Sequence, residues 1–132
     1  MKLGATLYIS PSREAVGLYC RAFGLTPGYA VPNEDGSWLH AALCRDGEEV
    51  FSVSESDNPV LRALLRDASL HHNRPIANLG LTFPTRAEVE HAFDLLAQEG
   101  TVTLPPQTLP WATLAAEVVD KFGVYWYICT HE

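Results

Sequence analysis

Apolar and polar-aromatic side chains alternate near the end of the chain, after a turn predicted over Asp120–Gly123. β-Branched and aromatic residues at such spacing are typical of a strand, whose successive side chains point to opposite faces. One face carries Val124, Trp126 and Ile128, and the other carries Tyr125, Tyr127 and Cys129. We expect the first face to pack on helices and the tyrosines to line a cavity.

The first half of the chain reads as one strand, one helix and three further strands. The helix places Ala15, Leu18, Tyr19 and Ala22 on one side and ends at Gly24, a residue typical of helix ends. The predicted strands are Leu3 to Ile9, Tyr29 to Val31, Trp38 to Arg45 and Val50 to Ser54. A weakly periodic helix from Val60 to Leu70 and a connector from His71 to Pro75 follow.

The same order of elements then restarts. Thr85 and Glu88 form a predicted capping box, which opens a helix closed by Gly100. The predicted strands are Ile76 to Phe83, Thr101 to Leu104, Thr113 to Val119 and Val124 to Thr130. The second of these strands stops at Pro105–Pro106, since proline cannot donate to a β-ladder.

The two halves align as a repeat. Leu7 corresponds to Leu81, Glu14 to Glu88 and Asp46 to Asp120, so that one constant offset relates the two halves. The fold class predicted is therefore α+β, with two βαβββ modules. Module one spans about 1–70 and module two about 76–132, within one domain of 132 residues.

The net charge and the cysteine content indicate which classes of partner and which cellular compartment to expect. A net charge of −7 with scattered basic residues disfavours nucleic acid and anionic membranes, which bind clustered Lys and Arg. Three cysteines without metal-site spacing, Cys20, Cys44 and Cys129, suggest free thiols in a reducing compartment. The short apolar N-terminus lacks the pattern of a signal peptide or membrane span. We expect a cytoplasmic protein.

Several segments resemble one family. They are Ala22-Phe23-Gly24, Val102 to Gln107, Trp111 and Asp120 to Trp126. With the repeat, they make the chain similar to the glyoxalase/bleomycin resistance/dioxygenase (vicinal oxygen chelate) superfamily, and most similar to its PhnB-like branch. The resemblance covers the whole chain. It implies a curled mixed sheet of two βαβββ modules around a shared pocket, and a homodimer.

The resemblance also implies where a metal would bind. Members that use Fe, Mn, Ni or Zn take ligands from the first and last strands of each module. The corresponding residues are Gly4, Val53, Asn78 and Tyr127. This set has no carboxylate and no imidazole, the donors these metals favour. We therefore expect no metal and no cofactor.

Eight residues are candidates for ligand binding, by the ligand positions that the resemblance implies, by strand parity, or by residue type within a strand or at a loop-to-strand junction. They are Tyr8, His40, Val53, Asn78, Trp111, Glu117, Tyr125 and Tyr127. Alternatives stay open for several of them. The tyrosines are equally compatible with ordinary packing, Trp111 with a dimer interface, and Glu117 with a solvent-facing strand position. His40 is either a pocket residue or an edge residue.

Three functions follow from these residues. The first is metal-free binding of a small, partly aromatic or apolar molecule in a Tyr/Trp-lined pocket. The second is a metal-dependent lyase, isomerase or dioxygenase of the same superfamily. The third is a metal-free enzyme that uses His40, Glu117 or a tyrosine as acid or base. The first is favoured, while the identity of the ligand and the question of catalysis stay open.

Overall fold

The computed structural model describes residues 1–65, 67 and 74–132, which divide into two units, Met1–Asn58 and Pro59–Glu132. The first unit contains β1 (Thr6–Ile9), α1 (Ser12–Phe23), β2 (Thr26–Pro32), β3 (Trp38–Arg45) and β4 (Glu48–Glu55). The second contains α2 (Pro59–Leu65), β5 (Leu79–Phe83), α3 (Arg86–Leu96), β6 (Thr101–Leu109), β7 (Ala112–Val119) and β8 (Tyr125–Thr130). The predicted helix end at Leu70 and the first part of the connector lie outside the described residues.

Each unit forms its own open sheet of four strands. The strand orders are β1-β4-β3-β2 and β5-β8-β7-β6. In both sheets the first and last strands pair in parallel, and the other neighbours are antiparallel. The two predicted βαβββ modules, and the α+β class, are therefore confirmed.

The helices cover one face of each sheet. In the first unit, the ring of Tyr19 on α1 lies 5.8 Å from that of Phe23 and 5.6 Å from that of Phe51 on β4. These contacts place α1 over the face that carries Phe51. Gly24 ends α1 in a left-handed conformation (φ 64°), as predicted.

The helix α3 begins with the predicted cap. The backbone N–H of Glu88 donates to the hydroxyl of Thr85 over 3.2 Å, and that hydroxyl donates to the Glu88 carboxylate over 2.9 Å. The buried residues Val89, Ala92 and Leu96 face β7 and β8, against which α3 packs.

The strand β6 is longer than predicted. It continues through Pro105–Pro106 to Leu109. It can do so because it is an edge strand, where a missing backbone donor is tolerated.

The repeat changes register by one residue after α3. In the first sheet Thr6 pairs with Ser52, and in the second Gly80, which is the counterpart of Thr6 at the predicted offset, pairs with Tyr127. Tyr127 therefore corresponds to Ser52, one position beyond the predicted offset. The extra residue lies in the connection from α3 to β6, which includes Glu99 at a positive φ of 59°.

This extra residue corrects the prediction for Val53. A shift of one residue moves a strand side chain to the opposite face. Val53 lies two residues after Phe51, on the face covered by α1, and none of its surface is exposed. The residue that corresponds to Tyr127 on the open face of the first sheet is Ser52.

Candidate functional site

The second sheet has one face covered by α3 and one open face. Residues directly opposite one another on antiparallel strands share a face. Val118 is opposite Trp126 on the covered face, and both are 1% exposed. Glu117 is opposite Tyr127 on the other face, where both side chains are partly exposed. The predicted separation of the tyrosines from Trp126 is confirmed.

A buried carboxylate holds this arrangement of β8. Oδ1 of Asp120 accepts the backbone N–H groups of Phe122 at 2.9 Å and Val124 at 3.0 Å. Oδ2 accepts the indole N–H of Trp126 at 2.8 Å. Gly123 supplies the left-handed backbone (φ 88°) that closes the turn. The turn and the indole together determine which side chains of β8 reach the open face.

Two of the predicted aromatic residues meet on that open face. The indole Nε1–H of Trp111 donates to the hydroxyl of Tyr127 over 2.9 Å. Beneath them lies a small apolar cluster of Ala112, Ala115 and Cys129, against which Tyr127 packs. Trp111 itself remains 65% exposed. The pair forms an aromatic wall on the open face.

The groups around Tyr127 raise the pKa of its phenol. Burial raises the pKa of the phenol above its usual value of 10.0. The hydrogen bond from Trp111 opposes this rise in pKa, while the neighbouring Cys129 and Glu117 add to it. Tyr127 therefore stays a neutral phenol at neutral pH, able to exchange hydrogen bonds with a polar group.

A cavity of about 550 Å³ lies at the end of the second sheet where β5 begins. Its lining includes three of the predicted residues, Asn78, Glu117 and Tyr125, together with Arg74. Tyr127 does not line it, but is opposite Glu117 in the sheet. Val118 and Trp126 of the covered face also border the cavity, which lies at the end of the sheet, next to the open face that carries Glu117, Tyr125 and the aromatic wall.

Glu117 is held by a partner that the sequence did not indicate. Nη1 of Arg74 donates to Oε1 of Glu117 over 3.1 Å. The Glu117 side chain is only 14% exposed, whereas that of Arg74 is 79% exposed. Arg74 lies in the predicted connector, whose composition carries no periodic signal for a site.

The candidates in the first unit are not gathered into this cavity. His40 lines a smaller cavity of about 390 Å³, together with Thr6 and Ser52. The Thr6 and Ser52 hydroxyls are 2.9 Å apart. Tyr8 is on the same open face as Thr6, is 68% exposed and lines neither of the two cavities described. Val53, on the covered face, is not a lining residue.

The sequence profile of the Glyoxalase/Bleomycin resistance protein/Dioxygenase superfamily matches residues 5–128. The chain belongs to this superfamily. No curated protein is significantly similar to it. None of the described helices is long and apolar enough to cross a membrane.

Solved structures share the superfamily fold over nearly the whole chain. A PhnB protein from Bacillus cereus is 23% identical with a TM-score of 0.72, covering 98% of this chain and 99% of its own. A protein from Pseudomonas aeruginosa is 22% identical with a TM-score of 0.69, covering 98% of each chain. The fosfomycin resistance protein FosX from Listeria monocytogenes, solved with Mn(II) and sulfate, is 10% identical with a TM-score of 0.63. It covers 98% of this chain and 91% of its own.

The residues at the positions of superfamily metal ligands do not fit a divalent cation. With the corrected register they are Gly4, Ser52, Asn78 and Tyr127. Gly4 has no side-chain donor, and the Tyr127 hydroxyl already accepts the Trp111 indole N–H. A hydroxyl and an amide without carboxylates are weak ligands. Among the described residues, no cluster of three His, Cys, Asp or Glu side chains could hold a metal ion.

Proposed function

We propose that this protein binds a small, partly aromatic molecule on the open face of its second sheet, without a metal ion. The observation that carries the proposal is the cavity of about 550 Å³ beside the tyrosines of β8. Ligand sites of roughly 300–1,000 Å³ typically enclose a drug-sized molecule between apolar walls and a few polar groups.

The lining supplies both kinds of contact. The ring of Tyr125 offers a surface on which an aromatic ligand can stack, and the apolar side chains of Ile76 and Val102 border the same cavity. Asn78 and Arg74 offer hydrogen-bond donors that would orient a bound molecule. The wall formed by Trp111 and Tyr127 extends the aromatic surface beyond the cavity.

Binding is favoured over acid–base catalysis because the candidate acids and bases Glu117 and His40 are either hydrogen-bonded to another side chain or located outside this cavity. The carboxylate of Glu117 accepts a guanidinium N–H, so one of its oxygens is occupied by Arg74. His40, the strand histidine predicted as an acid or base, lines the cavity of the other unit.

The proposal is tested with a neutral planar probe, N-phenyl-1-naphthylamine, whose fluorescence rises in an apolar site. We expect saturable binding of one probe per chain, and affinity about tenfold weaker in Tyr125→Ala and Tyr127→Ala, since each loses a stacking surface. Tyr29→Ala, which removes an exposed tyrosine from the first unit, serves as the matched control. Equal affinity in all three variants would contradict the proposed site.

A further inference from the structure

The two charged side chains that line the cavity differ in their exposure to solvent. Arg74 and Glu117 form one ion pair, so the lining is balanced in formal charge. The Glu117 side chain is only 14% exposed, whereas the Arg74 side chain is 79% exposed. The cation is therefore the more accessible of the two charges.

Other side chains of the lining can also donate hydrogen bonds. Asn78 contributes an amide, and Thr101 and Thr103 contribute hydroxyls from the start of β6. An amide or a hydroxyl can also accept, but the guanidinium can only donate. The donor-rich lining suits a ligand whose polar end is an acceptor.

The ion pair leaves Arg74 prepared to bind an anion. A guanidinium carries five N–H donors, and the bond to Glu117 occupies one of them. Anchoring by Glu117 lowers the entropy cost of holding the long side chain in place. A planar guanidinium with donors remaining pairs well with a carboxylate.

We propose that the ligand is a planar aromatic acid, whose carboxylate binds Arg74 while its ring lies against Tyr125. This inference rests on the function proposed above and specifies the chemical class of the ligand. The carboxylate takes the remaining N–H donors of Arg74, and Asn78 donates to the same group. Glu117 acts as the positioning residue for the guanidinium.

The test compares two probes of similar shape, 2-naphthoate, which is an anion with two acceptor oxygens, and 2-naphthamide, which is neutral and also carries N–H donors, by displacement of N-phenyl-1-naphthylamine. The wild-type protein should bind the acid about tenfold more tightly than the amide, as a charge-assisted pair does. Arg74→Gln should remove this preference, and Arg74→Lys should keep part of it. Added salt should weaken binding of the acid alone.

Arg86→Gln provides the control, because Arg86 follows the far end of β5 and donates to the carbonyl of Thr113 outside the cavity. It should retain the full preference for the acid. Equal affinity of the wild type for acid and amide, or tighter binding of 2-naphthylmethylammonium, would overturn the aromatic-acid inference and leave the binding site standing. Failure of all these probes and of N-phenyl-1-naphthylamine to bind would overturn the proposed function itself.

Discussion

The indole Nε1–H of Trp126 donates to the buried carboxylate of Asp120 over 2.8 Å. The other oxygen of that carboxylate holds two backbone N–H groups of the turn before β8. One acidic side chain therefore couples the turn to the core and sets the direction of every side chain in β8. The open face, with Tyr125 and Tyr127, follows from this relationship.

Two tryptophans provide a matched comparison of core and site. We expect Trp126→Ala to lower the free energy of unfolding by about 3–5 kcal/mol, because it opens a cavity in the core and removes the indole bond to Asp120. Trp111→Ala should lower it by about 1 kcal/mol or less, since that side chain is exposed and loses one hydrogen bond. Urea unfolding of both variants measures the difference. Similar losses would contradict the assignment of the two faces.

The sequence predicted the order of elements because apolar periodicity, glycine and the Thr85–Glu88 cap are local signals. The face of Val53 could not be obtained from a constant offset between the halves, because one added residue after α3 is enough to reverse a strand. A local signal was nevertheless present in β4. Phe51 and Val53 alternate with Ser52 and Ser54, which places the serines on the open face.

The cavity was only partly predictable for a different reason. Tyr125 followed from strand parity, Asn78 from the ligand positions that the superfamily resemblance implies, and Glu117 from its position among apolar neighbours. Arg74 comes from a connector, and its contact with Glu117 joins residues that are 43 apart in the chain. No periodic pattern in the sequence encodes a contact between residues so far apart, so this contact can be identified only in the folded structure.

The raised pKa of Tyr127 predicts a pH dependence of stability. The folded protein keeps this phenol protonated to a higher pH than the unfolded chain does. Its contribution to stability is therefore complete below the unfolded-state pKa and is lost as the pH rises through the folded-state pKa. In Tyr127→Phe the free energy of unfolding, measured by urea at a series of alkaline pH values, should fall less steeply above about pH 10. An unchanged slope would contradict this assignment.

Replacing Trp111 tests the cause of the pKa shift of Tyr127 separately. Trp111→Phe loses the hydrogen bond that lowers the pKa of Tyr127. Difference absorbance of the phenolate should then show Tyr127 ionising at a higher pH than in the wild type. Ionisation of Tyr127 at a lower pH in this variant would contradict the hydrogen-bond assignment.

The donor set at the superfamily metal positions predicts weak metal binding. Protein dialysed without chelator should contain far less than one equivalent of Fe, Mn, Ni, Co or Zn by elemental analysis. Added Mn²⁺ or Zn²⁺ should leave the melting temperature unchanged, because only metal bound to the folded state raises it. Stoichiometric metal that is lost in His40→Ala or Glu117→Ala would show that a different ligand set operates.

We propose a homodimer, as the superfamily resemblance implies. Trp111 is a large, exposed apolar side chain of the kind that a symmetric interface buries. Light scattering at micromolar concentration should give twice the mass of one chain, and Trp111→Glu should shift the equilibrium towards monomer. A monomer mass for the wild type would contradict the proposal.

We propose that a ligand lies on the open face of the second sheet. The most direct measurement is a crystal structure of the protein with N-phenyl-1-naphthylamine bound. We expect electron density for the probe in the cavity lined by Asn78, Glu117 and Tyr125, with its rings against Tyr125. Density against the face covered by α3, or only at sites outside this cavity, would contradict it.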